Sequence, residues 1–379
     1  MDLLGIGLTG KELTDLERRI LAESSPFAVV LFGRNIGSPG QLLDLVREVK
    51  SIARRPPLFM IDQEGGRVDR LRHLLPGLPG ADVFAEGERS EEMAQRHGTI
   101  IGMALRYFDI EVDLAPVVDV SGDPPPKGLE RRTFGRDAGT VVDLAGAFMR
   151  GLHGAGVASC LKHFPGIGLG SADPHYGATV IDVSLHDLLL RDLVPFKRLG
   201  DEAGAVMIGH GTYPQIDAPD LPATLSRRLT TDLLRGTVGF HGVAISDDME
   251  MHAVSDLGSY EEITERALLA GNDVILFCSH IERMLDVRDF LRRRAGEDAM
   301  LRARFEQARA RCERYRAHCD RLRAASSRVE SFDRLLDELG RFVAELERTR
   351  TRSNACVPPA ERRSEPRTTG GRSGREEWT

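Results

Sequence analysis

Two stretches of the chain carry residues whose types and spacing suit bond-breaking chemistry. In GVAISDDMEM, residues Gly242–Met251, an apolar run ends in the adjacent carboxylates Asp247 and Asp248, with Glu250 close behind. An aspartate held at a strand end is rigid enough to act as a nucleophile. The same three carboxylates could instead offer oxygen ligands to a divalent cation, and the local sequence leaves both readings open. Asp248 also suits the N-cap of a following helix better than Asp247 does. The second stretch is LKHFPGIGLGSADPHYG, Leu161–Gly177, with His163, His175 and, two residues before the latter, Asp173. A carboxylate beside a histidine fixes its tautomer and stabilises the imidazolium, which suits acid–base work near neutral pH. Its glycines let such a loop turn tightly and move. GIGLG is a poor phosphate cradle, because no GK[ST] follows it.

Two further segments hold polar groups fit for a polyhydroxylated ligand. In MIDQEGGRVDRLR, Met60–Arg72, Asp62 closes an apolar run and Arg67 and Arg70 follow; ERRTFGRD, Glu130–Asp137, supplies Arg132 and its neighbours. Carboxylates bind sugar hydroxyls, and arginines reach ring substituents or anionic groups.

Such residues are far apart in sequence, so the scaffold must gather them. Eight short apolar or β-branched runs are spaced along the chain: Leu3–Leu8, Ala28–Phe32, Leu58–Ile61, Val112–Val118, Val157–Leu161, Ala205–Ile208, Val243–Ile245 and Val274–Phe277. Amphipathic stretches such as QLLDLVREVKSIA and TVVDLAGAFMRGLHGAG lie between them. This alternation predicts a parallel α/β fold, and eight repeats favour a single closed (β/α)₈ TIM-type barrel over a doubly wound sheet. Asp62, Asp119, Lys162 with His163, His210 and Asp247 all stand where an apolar run ends. In a barrel those positions line one mouth, where active sites form.

Past about Ile281 the chain becomes rich in Arg, Glu, Ala and Leu at helical spacing. These helices could pack on the barrel as a hairpin or offer a surface for an oligomer, with most of their charges on solvated faces. From Thr351 the chain is polar and rich in Pro and Gly, which predicts disorder. The expected organisation is a catalytic barrel over residues 1–295, a helical extension over 296–350 and a disordered tail over 351–379.

The net charge of −7 in 379 residues argues against a nucleic-acid partner. Five cysteines with no CxxC spacing suit no zinc site and read as reduced thiols of a cytoplasmic chain. The N-terminus lacks a secretory pattern, and no apolar stretch is long enough for a membrane span.

Taken together and in order, LFGRNI, IDQEGGRVDR, VDLAPVVDV, RTFG, KHFPG, ADPH, MIGHGTYPQID, PATLS, GFHGVAISDDMEM and ALLAGNDVILF resemble family 3 glycoside hydrolases. More narrowly they are similar to the bacterial β-N-acetylglucosaminidases of peptidoglycan recycling, over roughly Asp2 to Arg293. KHFPG with a downstream D-x-H is the specific mark of that subgroup. The resemblance implies Asp247 as nucleophile and His175, partnered by Asp173, as acid/base. It implies Asp62, Arg70, Arg132, Lys162 and His163 as binders of the N-acetylglucosamine, with His210 in support. It implies a carbohydrate substrate derived from muropeptides and no metal or organic cofactor, and leaves open whether water or phosphate takes up the sugar. Two features depart from the family: Ile167 stands where KHFPGHG has its second histidine, and a helical tail replaces the second domain of some relatives.

Overall fold

The computed structural model describes residues 3–85, 89–172, 179–327, 329 and 331–356. Its centre is a closed parallel barrel, as the alternation predicts. The strands are β1 (Leu4–Gly7), β2 (Ala28–Leu31), β3 (Leu58–Ile61), β4 (Val112–Asp113), β5 (Ala158–Ser159 and Leu161–Phe164), β6 (Ala205–Ile208), β7 (Val243–Asp248) and β8 (Val274–Phe277). Strand β5 is broken at Cys160. Its first segment pairs with β4 and its second with β6, while β8 returns to β1, so the ring closes. The short runs β1, β2, β3, β6 and β8 are buried along their whole length, as strands covered on both faces must be.

Helices follow each strand: α1 (Asp15–Ser24), α2 (Pro39–Ile52), α3 (Ser90–Tyr107), α4 (Ala138–Gly154), α5 (Leu193–Ala203), α6 (Arg228–Thr237), α7 (Tyr260–Ala270) and α8 (Met284–Glu297). Their starts are written in the sequence. Thr14 with Glu17, and Ser259 with Glu262, form reciprocal capping boxes at α1 and α7. Ser38 caps α2 with Pro39 in its first turn, and Asp137 caps α4. Helix α6 is wound in the wider π form.

Two longer helices follow α8. Helix α9 (Ala299–Ala325) runs beneath the barrel, across the N-terminal ends of its strands. The Tyr315 hydroxyl donates to the Ser159 carbonyl, and Arg316 donates to the carbonyls of Phe27 and Pro56. Arg304 and Arg311 reach Asp273, and Arg323 reaches Asp109 and Glu111. A stripe of this helix is therefore engaged with the barrel floor, while most of its other charged residues are exposed. Helix α10 (Phe332–Cys356) packs on α3, burying Leu335, Leu339 and Phe342. The remainder of the tail, 357–379, lies outside the described residues. No helix among the described residues is long and apolar enough to cross a membrane.

Candidate active site

The C-terminal ends of β1–β8 form the mouth of the barrel, and a cavity of about 280 Å³ opens there. Asp62, Arg70, Arg132, Lys162, His163 and Asp247 all line it. Every predicted site residue that lies within the described residues thus meets in one place. Asp173 and His175 lie outside the described residues; the flanking pair Ser171–Ala172 and Thr179–Val180 is antiparallel, and Thr179 and Ile181 are hydrogen-bonded to Thr212 beyond β6.

One wall of the cavity is a network of alternating charges. Lys162, only 2% exposed, places Nζ 2.7 Å from Asp62 Oδ1 and 2.6 Å from Glu64 Oε1. Arg132 grips Glu64 with two parallel bonds, Nε to Oε2 and Nη2 to Oε1, both 2.8 Å. Burial alone would raise the Glu64 carboxyl, but Lys162 and Arg132 outweigh it and bring the pKa down to about 2. Asp62 is likewise held below its ordinary value: burial opposes ionisation, and Lys162 and Arg70 overcome it. Burial would discharge Lys162, yet Asp62 and Glu64 drive its pKa upward. All four groups therefore stay charged, a fixed array of donors and acceptors for sugar hydroxyls. Arg70 is steered by Asp62 at 3.6 Å and by the Phe32 ring, whose centroid is 5.5 Å from the guanidinium carbon.

Glu64 was not among the residues expected to act at the site, although IDQEGG displays it. Its partner Arg132 sits on another loop, so only the fold reveals the pairing. The glycines after it are obligatory. Gly65 has φ +86°, and a Cβ there would lie 2.2 Å from the Pro79 carbonyl oxygen.

Asp247 stands at the end of β7, half-buried. Its Oδ1 accepts the Asp248 amide at 2.8 Å. Asp248 is more firmly tied: its Oδ1 accepts the amides of Glu250 and Cys278. Burial, with Glu250 and Asp247 nearby, pushes its pKa up to about 7. Glu250 is engaged by Tyr260 and by the His280 ring and amide. Asp247 and Asp248 both line the cavity, but Asp248 is tied by two amides where Asp247 accepts one. Among the described residues no group of three His, Cys, Asp or Glu is arranged to hold a metal ion.

Two histidines brace this arrangement. His163 Nδ1 lies 2.7 Å from Asp119 Oδ2. His210 is buried; Nε2 donates to the Asp248 carbonyl at 2.9 Å, and Nδ1 lies 2.6 Å from the Thr224 hydroxyl, which also reaches the Gly209 carbonyl at 2.9 Å. Burial lowers the His210 pKa, which favours a neutral ring. His210 thereby anchors the backbone beside Asp247. Ile167, at the position of the family's second histidine, donates its amide to Asp119 at 2.8 Å and packs its side chain on the core.

A barrel whose mouth gathers carboxylates, a buried lysine and two arginines around one cavity fits a carbohydrate-processing enzyme of the TIM-barrel class. Residues 6–312 match the glycosyl hydrolase family 3 N-terminal domain, and the chain belongs to that family, which makes it a glycoside hydrolase. It is 38% identical to a β-hexosaminidase of Stenotrophomonas maltophilia over 73% of this chain and 83% of that protein. Its fold is similar to NagZ from Neisseria gonorrhoeae in complex with N-trifluoroacetyl-D-glucosamine, with a TM-score of 0.70 and 27% identity, covering 86% of this chain and 98% of that one. It is also similar to a fungal multi-domain family 3 β-N-acetylglucosaminidase, with a TM-score of 0.79 and 28% identity over 91% of this chain; the chain spans 42% of that protein's length.

Proposed function

We propose that this chain is a retaining exo-β-N-acetylglucosaminidase that removes terminal β-1,4-linked N-acetylglucosamine from (anhydro)muropeptide-type peptidoglycan fragments in the cytoplasm. The observation that carries this reading is the convergence of Asp62, Arg70, Arg132, Lys162, His163 and Asp247 on one cavity. Its volume is at the lower end of ligand pockets, suited to a single pyranose ring. The relatives named β-hexosaminidase, and the NagZ complex with an N-acylated glucosamine, point to the same sugar. Buried unpaired cysteines at Cys160, Cys278, Cys312 and Cys319 accord with a reducing compartment.

The reaction takes two steps. An Asp247 oxygen attacks the anomeric carbon while the bond to the leaving oxygen breaks, and His175, as imidazolium paired with Asp173, gives its proton to that oxygen. Water then attacks the glycosyl-aspartate as neutral His175 takes up its proton, restoring free Asp247 and releasing the sugar with retained configuration. The Asp62–Lys162–Glu64–Arg132 network holds the ring hydroxyls throughout, and its fixed charges need no reorganisation as the transition state forms.

The decisive experiment is trapping. A 5-fluoro N-acetylglucosaminyl fluoride should inactivate the enzyme and leave a glycosyl adduct, located on Asp247 by peptide mass spectrometry. An adduct elsewhere, or an α-configured first product by NMR, overturns the assignment. The same turnover followed with and without inorganic phosphate separates hydrolysis from phosphorolysis, since only the latter yields the sugar 1-phosphate.

A further inference from the structure

At the opposite end of the barrel a second cavity, of about 330 Å³, lies between α6, the end of α7 and α9. Four arginines line it: Arg227 and Arg235 from α6 and its start, Arg304 and Arg311 from α9. No carboxylate is among its described lining residues. The buried acid behind it is Asp273, which is already shared by three arginines and a backbone amide. Its Oδ2 accepts Arg235 at 2.8 Å and the Ala244 amide at 3.0 Å; its Oδ1 accepts Arg304 at 2.7 Å and Arg311 at 3.0 Å. The exposed Asp232 approaches Arg227 only to 4.0 Å.

The charge count is therefore lopsided. Three guanidinium groups converge on a single carboxylate, and a fourth stands at the rim. Two of their nitrogens, Arg304 Nη1 and Arg235 Nε, are buried with no hydrogen-bond partner. Burial, with crowding by Arg311 and Arg304, outweighs Asp273 and lowers Arg235 to about 10. Arg227, just before α6, and Thr231 and Arg235 on it line one wall of the cavity.

We propose that this cavity is a binding site for a phosphate-class dianion, either inorganic phosphate or a small phosphate monoester. A dianion offsets the surplus that Asp273 leaves, and a tetrahedral oxyanion matches the planar fork of each arginine. The volume exceeds what the phosphoryl group alone requires, which leaves room for an attached group. The site is remote from the sugar-binding cavity and independent of the mechanism proposed above.

The test is thermal unfolding of the full chain in potassium phosphate, in glucose 6-phosphate, and in potassium chloride at matched ionic strength. Saturating phosphate should raise Tm by about 3–5 °C. Arg227→Gln alters an exposed side chain and should match the wild type in chloride, yet weaken phosphate binding roughly 10-fold in calorimetric titration. Arg311→Gln should weaken it at least as much. Tighter binding of glucose 6-phosphate than of phosphate identifies the monoester as the ligand; equal or tighter binding of phosphate identifies the free ion. Absence of a phosphate-specific shift overturns the proposal. So does a shift that survives in both variants, which would place the anion elsewhere, for instance on Lys162 and Arg132.

Discussion

The Asp119 carboxylate holds His163 and the loop beyond it at once: Oδ2 is 2.7 Å from His163 Nδ1, and Oδ1 accepts the Ile167 amide at 2.8 Å. A carboxylate can only accept, so Nδ1 carries the proton and Nε2 is the ring atom available to a ligand. Asp119→Asn replaces one acceptor by an amide that donates, which reverses the tautomer of His163 and loosens the base of the Leu161–Gly177 loop. We expect KM to rise and kcat to fall, each by about 10- to 100-fold, as small misplacements in a site do. Nitrogen NMR of His163 checks the cause, since the variant should show the opposite tautomer. Unchanged kinetics together with a switched tautomer would show that His163 does not contact the sugar.

Asp247 is open to the cavity while Asp248 is tied to two amides, so their substitutions should separate cleanly. Asp247→Ala should lower kcat/KM for a nitrophenyl N-acetylglucosaminide on the order of 10⁴-fold or more, as loss of a nucleophile does. Tm should move by only a few degrees, because no more than one amide loses its acceptor. A near-wild-type rate would remove Asp247 from the nucleophile role.

His175 is proposed as the proton donor, and proton donation matters in proportion to how poor the leaving group is. His175→Ala should therefore slow substrates with alkyl or sugar aglycones far more than a dinitrophenyl glycoside. A Brønsted plot of kcat/KM against leaving-group pKa should steepen in the variant. An equal loss across the series would assign His175 to positioning instead.

How much of this was readable in the chain follows from how local each feature is. The ends of strands could be read because apolar side chains give way to polar ones where the barrel meets its mouth, so Asp62, Lys162, His163 and Asp247 each announce themselves after an apolar run. Glu64 gave no such sign, since its meaning depends on Arg132, a residue on another loop whose approach is a tertiary fact. Which charges of α9 meet the barrel was hidden for a related reason. Arg304, Arg311, Arg316 and Arg323 have the composition of a solvated face, and only the barrel floor supplies the carbonyls and carboxylates they meet. Periodicity shows that a helix exists and says little about what lies against it.

Asp248 makes the stability of the fold depend on pH in a direction opposite to most acids. Its pKa is raised from 3.8 to about 7 in the native state, chiefly by burial. The native protein therefore binds a proton that the unfolded chain has already lost, between about pH 4 and 7. Its contribution favours folding at the acid end of that window and disappears as pH rises through 7. Asp248→Asn keeps an Oδ1 acceptor for the Glu250 and Cys278 amides without the charge. The difference in Tm between variant and wild type should accordingly move in the variant's favour from pH 5 to pH 8. A difference that is flat across that range would show that Asp248 is ionised throughout.

Helix α10 lies beyond the matched family domain, and its contact with α3 includes a ring stack. Phe342, fully buried, stacks on His97 with centroids 5.9 Å apart and planes 5° apart, and Phe84 and Phe148 close the other sides of the imidazole. Neither ring nitrogen of His97 has a hydrogen-bond partner, and burial pushes its pKa down to about 3. The unfolded chain therefore binds a proton at His97 that the native chain refuses between about pH 6.5 and 3, so this group costs stability as pH falls through that range. Phe342→Ala should destabilise the protein by about 3–5 kcal/mol at pH 7.5, the usual cost of emptying a buried aromatic position. It should also admit water to His97, raising its native pKa and flattening the loss of stability between pH 7 and 5. Chemical denaturation at several pH values measures both quantities. A large loss of stability with an unchanged pH slope would mean that the cage collapses and keeps the imidazole dry; a small loss with kcat intact would mean that α10 contributes little to holding the barrel together.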